Sequence, residues 1–278
     1  MSFQLVILSF TVFAFGYALN GLTITIGYHR ALAHNAVQLH PLLRWLLLHS
    51  GNWITGLDPK GWVVMHRLHH AHSDTPDDPH SPVNVGMAGI LREQLSSYRR
   101  VMVGLMKGNP KYTDHAKDLD FELSWLNRRG LWMLPYLTHA AVGLVIGALS
   151  GSVLLALAWF AGMMSHPVQG GLVNAFGHAV GGRNFNTPDH SRNNSVVAFL
   201  VLGEGFQNNH HRAPRSARFS WQHSEIDLGF AACLALEFLG LLTIEHELLL
   251  RRPNRNADDV GDVDDVDDVG DVDASSLA

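Results

Sequence analysis

The chemistry of this chain is concentrated in eight histidines: His29-x4-His34, His66-x2-His69-His70, His178 and His210-His211, out of 18 in 278 residues. On a helix, positions i, i+3 and i+4 share a face, so His66, His69 and His70 present three imidazoles in one direction. Gln207, His210 and His211 repeat that spacing downstream, and Asn174 and His178 stand four apart. Neutral imidazole is a good ligand for iron, zinc or copper. The single cysteine, Cys233, excludes a disulfide framework and Cys-x-x-Cys metal motifs. One ion takes about four to six ligands, so eight histidines suit two ions. The pattern predicts a dinuclear, nitrogen-rich metal site.

The elements that must position these residues are strongly apolar. Residues 3–27, 131–149 and 153–173 carry no charge, and each is long enough to cross a hydrocarbon core. The first has no basic residue ahead of it and is too long for a signal-peptide core, so it is read as a retained span. Three spans place residues 28–130 and 174–278 on one side of the membrane. These two pieces hold 12 and 8 Lys and Arg, all 20 in the chain. By the positive-inside rule that side is the cytoplasm, the histidines lie there, and the N-terminus faces outward. The expectation is an all-α integral membrane protein with about three transmembrane helices and a cytosolic helical cap.

Between the spans, Leu42 to Leu57 reads as an interfacial or re-entrant helix, and the run after it is helical as far as His70. Residues 74–82 (DTPDDPHSP) are loop. Leu91 to Met106 is a basic amphipathic stretch suited to an anionic membrane surface, and 224–250 reads as a pair of amphipathic helices. The net charge of −5 comes from residues 258–273, with nine Asp and no base. Residues 253–278 are therefore expected to be a disordered acidic tail behind one domain at 1–252.

The motifs YHRALAH (28–34), HRLHHAHSDTPDDPHSP (66–82), NAFGH (174–178), GGRNF (181–185), SRNN (191–194) and GEGFQNNHHRAPRSARF (203–219) together resemble the membrane-bound fatty acyl desaturases, in particular the acyl-CoA desaturase-like branch of bacterial type. The resemblance covers about residues 15 to 240. It implies two iron ions held by His29, His34, His66, His69, His70, His178, His210 and His211, with Asn174 acting through water. Gln207 stands where the eukaryotic pattern has a ninth histidine. Family members usually have two spans before the first histidine box, whereas 28 residues precede His29 here.

The implied reaction joins a long-chain acyl group (linked to CoA, acyl carrier protein or lipid), O2, two electrons and two protons, and yields a cis alkene and two waters. A delta-9 position follows by analogy. An unactivated methylene C–H is too strong for side-chain acids and bases, so the metal supplies the oxidising power and the protein aims it. Glu204, Asp74, Asp78 and Asp189 are candidates to orient the imidazoles; Arg67, Arg183 and Arg192 are candidates to hold an anionic acyl carrier. The chain has no haem, flavin or nicotinamide motif, which calls for a ferredoxin-, rubredoxin- or cytochrome-type donor with its reductase. Nucleic acid is not an expected partner.

Two other readings share these residues. One is a hydroxylase or ketolase on the same di-iron scaffold; the other is a non-catalytic, degenerate desaturase, motivated by Gln207. A zinc hydrolase lacks the His-Glu-x-x-His base. The ten other histidines, His80 and His166 among them, are read as polar surface or helix-end residues. His139, inside an apolar stretch, is expected to bond a neighbouring helix. Trp45, Trp53, Trp62 and Trp132 are expected at the membrane interface.

Overall fold

A computed structural model describes residues 2–248; the acidic tail and the end of the 1–252 unit lie outside these. The first helix, α1 (Phe3–Leu22), opens with Ser2 accepting from the Leu5 backbone N–H. Its apolar side chains point outward all round, with Phe3, Phe10 and Phe15 largely exposed, as suits a helix whose solvent is lipid. The helix does not stop at residue 27. It continues as a π segment (Thr23–Ala33), giving 31 residues without a break. Among the described residues this is the one helix long and apolar enough to cross a membrane.

A short strand β1 (Val37–Leu39) leads into α2 (Pro41–Thr55) and α3 (Pro59–His72). Both helices begin with proline, whose missing N–H costs nothing in a first turn. Asp58 caps α3 by accepting from Lys60 and Gly61. After the DTPDDPHSP loop comes α4 (Pro82–Met106), bent at Gly86, then the short α5 (Pro110–Thr113) and α6 (Trp125–Arg128). The chain then forms a hairpin of α7 (Leu134–Ser150) and α8 (Val153–Met163), followed by α9 (His166–Phe176), α10 (Ser195–Leu200), α11 (Gln207–Arg212), α12 (Leu228–Phe238) and β2 (Leu242–Ile244).

Two expectations need correction. The apolar run 153–173 is two helices, parted at Met164–Ser165. Pro167 has no N–H to give the carbonyl four residues earlier, that of Met163. The side-chain amide of Asn20, buried on α1, donates to that carbonyl at 2.8 Å. Where a pair of helices is expected over 224–250, the described residues 224–248 hold one, α12, and the chain then turns at Gly240 into β2. The architecture is all-α as expected, with one short antiparallel pair, β1 and β2, in which Gln38 stands opposite Thr243.

The apolar core gathers where the π segment, α2, α3 and α12 meet, around Tyr28, Leu32, Trp62, Val63, Phe230 and Cys233. Further out, α1 lies directly on α8. A Cβ on Gly16 would stand 2.9 Å from the Gly162 carbonyl carbon, and one on Gly162 would stand 2.6 Å from the Phe13 carbonyl oxygen. Small residues here let the two backbones touch. Gly162→Leu is accordingly expected to destabilise the protein by about 1–3 kcal/mol or more, seen as a lower unfolding temperature in detergent. An unchanged transition would mean that the helices part without cost.

Candidate metal centre

The first two histidines owe their meeting to the π segment. On an α-helix, residues five apart diverge by about 140°. With i→i+5 hydrogen bonding, residue i+5 returns above residue i. The His34 N–H donates to the His29 carbonyl at 3.2 Å, and their ring centroids lie 5.0 Å apart. The x4 spacing is thus the spacing of a π turn, a signal the α-helical reading passed over.

Helix α3 then divides its histidines. His66 and His70 join His29 and His34, while His69 turns to a second group. Helix α11 does the same with adjacent residues, His210 going to the first group and His211 to the second. His178, just past α9, completes the second. The structure therefore places all eight predicted histidines in two adjoining clusters: His29, His34, His66, His70 and His210 in one, His69, His178 and His211 in the other, the ligand atoms of each within 4.8 Å of one another. Between members of the first cluster, facing Nε2 atoms are 2.8–3.0 Å apart. Two nitrogens bound at right angles to one ion, each about 2.1 Å from it, stand about 3.0 Å apart. The donor set fits a metal ion. In the second cluster, His178 Nε2 and His211 Nε2 are buried without a protein partner.

The outward-facing nitrogens are held by carboxylates. His69 Nδ1 meets Asp78 at 3.0 Å, His178 Nδ1 meets Asp74 at 2.9 Å, His211 Nδ1 meets Asp189 at 2.6 Å and His29 Nδ1 meets Glu204 at 2.7 Å. A carboxylate on Nδ1 leaves Nε2 as the ligand atom and raises its basicity. Burial alone would push these acids up. Hydrogen bonds from His178 and Ser81 nevertheless hold Asp74 well below the usual range, and the His69 imidazole draws Asp78 down to about 2. Burial pushes His66, His70 and His210 well below their ordinary value and His211 down to about 4. At neutral pH these four are uncharged, with a lone pair free for a cation.

One cation is built into the support. Arg30 is fully buried, with Glu204 on one side at 3.1 Å, both oxygens of Asp227 on the other at 3.2 Å, and the Phe219 ring centroid 3.7 Å from its guanidinium carbon. Glu204 thus bridges His29 and Arg30. Asp227 also accepts from the Phe219 and Phe230 N–H groups, which ties α12 to the first cluster. No spacing rule marked Asp227.

A cavity of about 80 Å3 adjoins the clusters. His29, His66 and His69 line it together with both amides singled out in the sequence, Asn174 and Gln207. Asn174 donates to Gln94 Oε1 at 3.0 Å, and Gln207 donates to the Glu204 carbonyl at 2.7 Å. Trp62, expected at the membrane interface, and His80, expected at the polar surface or a helix end, belong here instead. Trp62 is buried and stacks on His66, 5.0 Å between centroids. His80 is buried and stacks on His69 at 4.7 Å, its N–H given to Asp78. His139 does bond a neighbouring helix, through the Trp53 carbonyl at 2.9 Å.

The arginines proposed for an acyl carrier are otherwise employed. Arg67 spans Asp118 and the carbonyls of Leu32, Ala33 and His115. Arg183 closes the loop at Thr187 and Asp189, and Arg192 donates to the Gly181 carbonyl.

The family model for fatty acid desaturase matches residues 5–225. Among curated proteins, the chain is 33% identical over 234 residues to an sn-1 stearoyl-lipid 9-desaturase of Anabaena variabilis, covering 80% of this chain and 78% of that one. It is 31% identical over 242 residues to a hex-5-enoyl-[acyl-carrier protein] acetylenase of Moorena producens (strain JHB), covering 81% and 73%. It is 32% identical over 240 residues to delta-9 acyl-lipid desaturase 1 of Arabidopsis thaliana, covering 82% and 72%.

Replacing Asp189 by Asn removes the charge behind His211 while keeping its shape. Metal affinity is expected to fall about 10–100-fold, read as metal bound per chain across a ferrous iron titration. Retention equal to the parent would show that the Asp189 charge does not support the second cluster.

Proposed function

The chain belongs to the fatty acid desaturase family, and on that premise we propose that it inserts a cis double bond into a saturated long-chain acyl group, at the delta-9 position, using O2 and two electrons. The observation that carries this reading is the pair of adjoining histidine clusters, five and three, converging from the π segment, α3, α11 and the end of α9. His29, His34, His66, His70 and His210 would hold one iron, and His69, His178 and His211 the other. Asn174 and Gln207, whose amides line the same cavity, would complete the set through water or an amide oxygen. Two irons, when bound, supply the oxidising equivalents that remove hydrogen from an unactivated methylene.

The rest is the work of the chain. Asp74, Asp78, Asp189 and Glu204 keep the imidazole Nδ1 atoms engaged so that Nε2 faces inward. Burial keeps His34, His66, His70, His210 and His211 neutral. Ile24, Leu57, Met65, Val173 and Val201 give the cavity an apolar wall, which takes an alkyl chain and keeps water from the reacting carbon. The delta-9 assignment is supported by the names of the Anabaena and Arabidopsis relatives.

The 31-residue helix, with the α7–α8 hairpin, would form the membrane part. The excess of Lys and Arg outside the apolar segments supports a cytoplasmic position for the histidines. Residues 1–252 carry the activity, leaving the acidic tail outside it. Electrons would reach the site from a ferredoxin-, rubredoxin- or cytochrome-type partner and its reductase.

Expression in a host whose own desaturation is disabled, with gas chromatography–mass spectrometry of total fatty acids, tests the proposal. A new cis-monoene unsaturated at carbon 9, absent in His70→Ala, is the expected result. A hydroxylated product without an alkene would overturn it in favour of a hydroxylase. Product from Gln207→His alone would mark the natural site as crippled.

A further inference from the structure

Helix α4 has two faces with different duties. One supplies Gln94 and Tyr98 to the cavity beside the clusters. Outward, a row at four-residue spacing runs Leu91, Leu95, Arg99, Val103, Lys107, and all five side chains are exposed. Beside it lie Ser96, Arg100 and Gly104, also one turn apart. Between these rows and the segment from Asn109 to Tyr112 is a groove of about 570 Å3. Its depth depends on Gly104, because a Cβ there would stand 2.0 Å from the Tyr112 ring.

Three cations line this groove, and only one is neutralised locally. Arg100 pairs with Glu93 at 2.5 Å. Among the described residues, Arg99 and Lys107 have no ion-pair partner. Guanidinium and ammonium groups around a concave surface, with Ser96 and Tyr112 hydroxyls near, make a site for a phosphate ester. The row itself selects the source. Leu91, Leu95 and Val103 are 48%, 48% and 37% exposed, and Met106 beside them is 51% exposed. Apolar and basic side chains interleaved on one outward face match a bilayer interface, where alkyl carbon meets phosphate oxygen. A soluble acidic protein would match the cations alone.

We propose that the groove formed by Ser96, Arg99, Arg100, Lys107 and Tyr112 binds the phosphate of an anionic glycerophospholipid, whose acyl chains lie along Leu91, Leu95 and Met106. A lipid bound there holds α4 at the membrane surface and, through it, the cavity wall that carries Gln94 and Tyr98. The site is separate from the histidine clusters and stands whether or not the desaturation reading does.

The full chain, purified in mild detergent, is titrated with phosphatidylglycerol or phosphatidylcholine and followed by native mass spectrometry. The parent is expected to retain phosphatidylglycerol in preference to phosphatidylcholine. The triple variant R99Q/R100Q/K107Q should lose affinity for it on the order of a hundredfold, while K117Q/R128Q/R129Q, altered at exposed cations elsewhere, binds as the parent does. Ser96→Trp fills the groove without changing its charge and should also lose the lipid. Equal binding of both lipids, or undiminished binding in the triple variant or in Ser96→Trp, would overturn the proposal. So would displacement by inorganic phosphate at equal concentration, which marks a simple anion site. Loss of an acidic ferredoxin from the triple variant with lipid binding intact would overturn it in favour of a protein-docking surface.

Discussion

Within the first cluster, ring nitrogens from five histidines face one another at 2.8–3.0 Å, and burial pushes four of them, His34, His66, His70 and His210, well below their ordinary value. Neutral imidazoles gain little from such a meeting. In each facing pair one nitrogen must donate, and a ring already giving Nδ1–H to a carboxylate has only a lone pair left to present. His29 adds a carboxylate oxygen of Glu204 2.7 Å from its Nδ1. Opposed lone pairs repel, and a cation placed between them turns the repulsion into several bonds. The other features of the structure serve to keep these rings in place against that repulsion.

The supports come from unusual backbone and from buried charge. The π segment spends its irregular hydrogen bonding on bringing the His29 and His34 rings together edge to face, as π turns gather at functional sites. Arg30, the next residue, is anchored between Glu204 and Asp227, so the helix end that carries His29 cannot rotate without breaking a buried ion network. Asn20, one helical stretch earlier, satisfies the carbonyl that Pro167 leaves bare. The same contact links α1 to the end of α8, and Gln169 on α9, the helix that leads to His178, donates to the Tyr17 carbonyl of α1 at 3.2 Å. The membrane-facing and metal-facing halves of the molecule are thus braced by the same few polar side chains.

The two clusters are supported differently. In the second, each histidine has its own aspartate: Asp78, Asp74 and Asp189. In the first, His29 alone has a carboxylate, and that one is shared with Arg30. Charge therefore differs sharply across a short distance. Carboxylates behind imidazoles raise the basicity of the opposite ring nitrogen, and in the second cluster every ring has that support.

Much of the site was legible because its chemistry is local in sequence. Histidines at i, i+3 and i+4 must share a helix surface, and Asp74, Asp78, Asp189 and Glu204 were visible as acids near the motifs. The family and its helical architecture followed from motif order. Tertiary structure alone decided how those residues divide. Adjacent residues such as His69 and His70, or His210 and His211, point to different clusters, and which goes where depends on what packs opposite. His80 and Trp62 carry no spacing signal, since their role is stacking on a ring that another segment positions. Asp227 reaches Arg30 across nearly two hundred residues of chain. The break at Met164–Ser165 was written in Pro167, but its tolerance was not, because the compensating amide sits on α1. Periodicity reports which side of its own helix a residue occupies; it carries no record of the neighbour on that side, and at this metal centre the neighbours settle the arrangement.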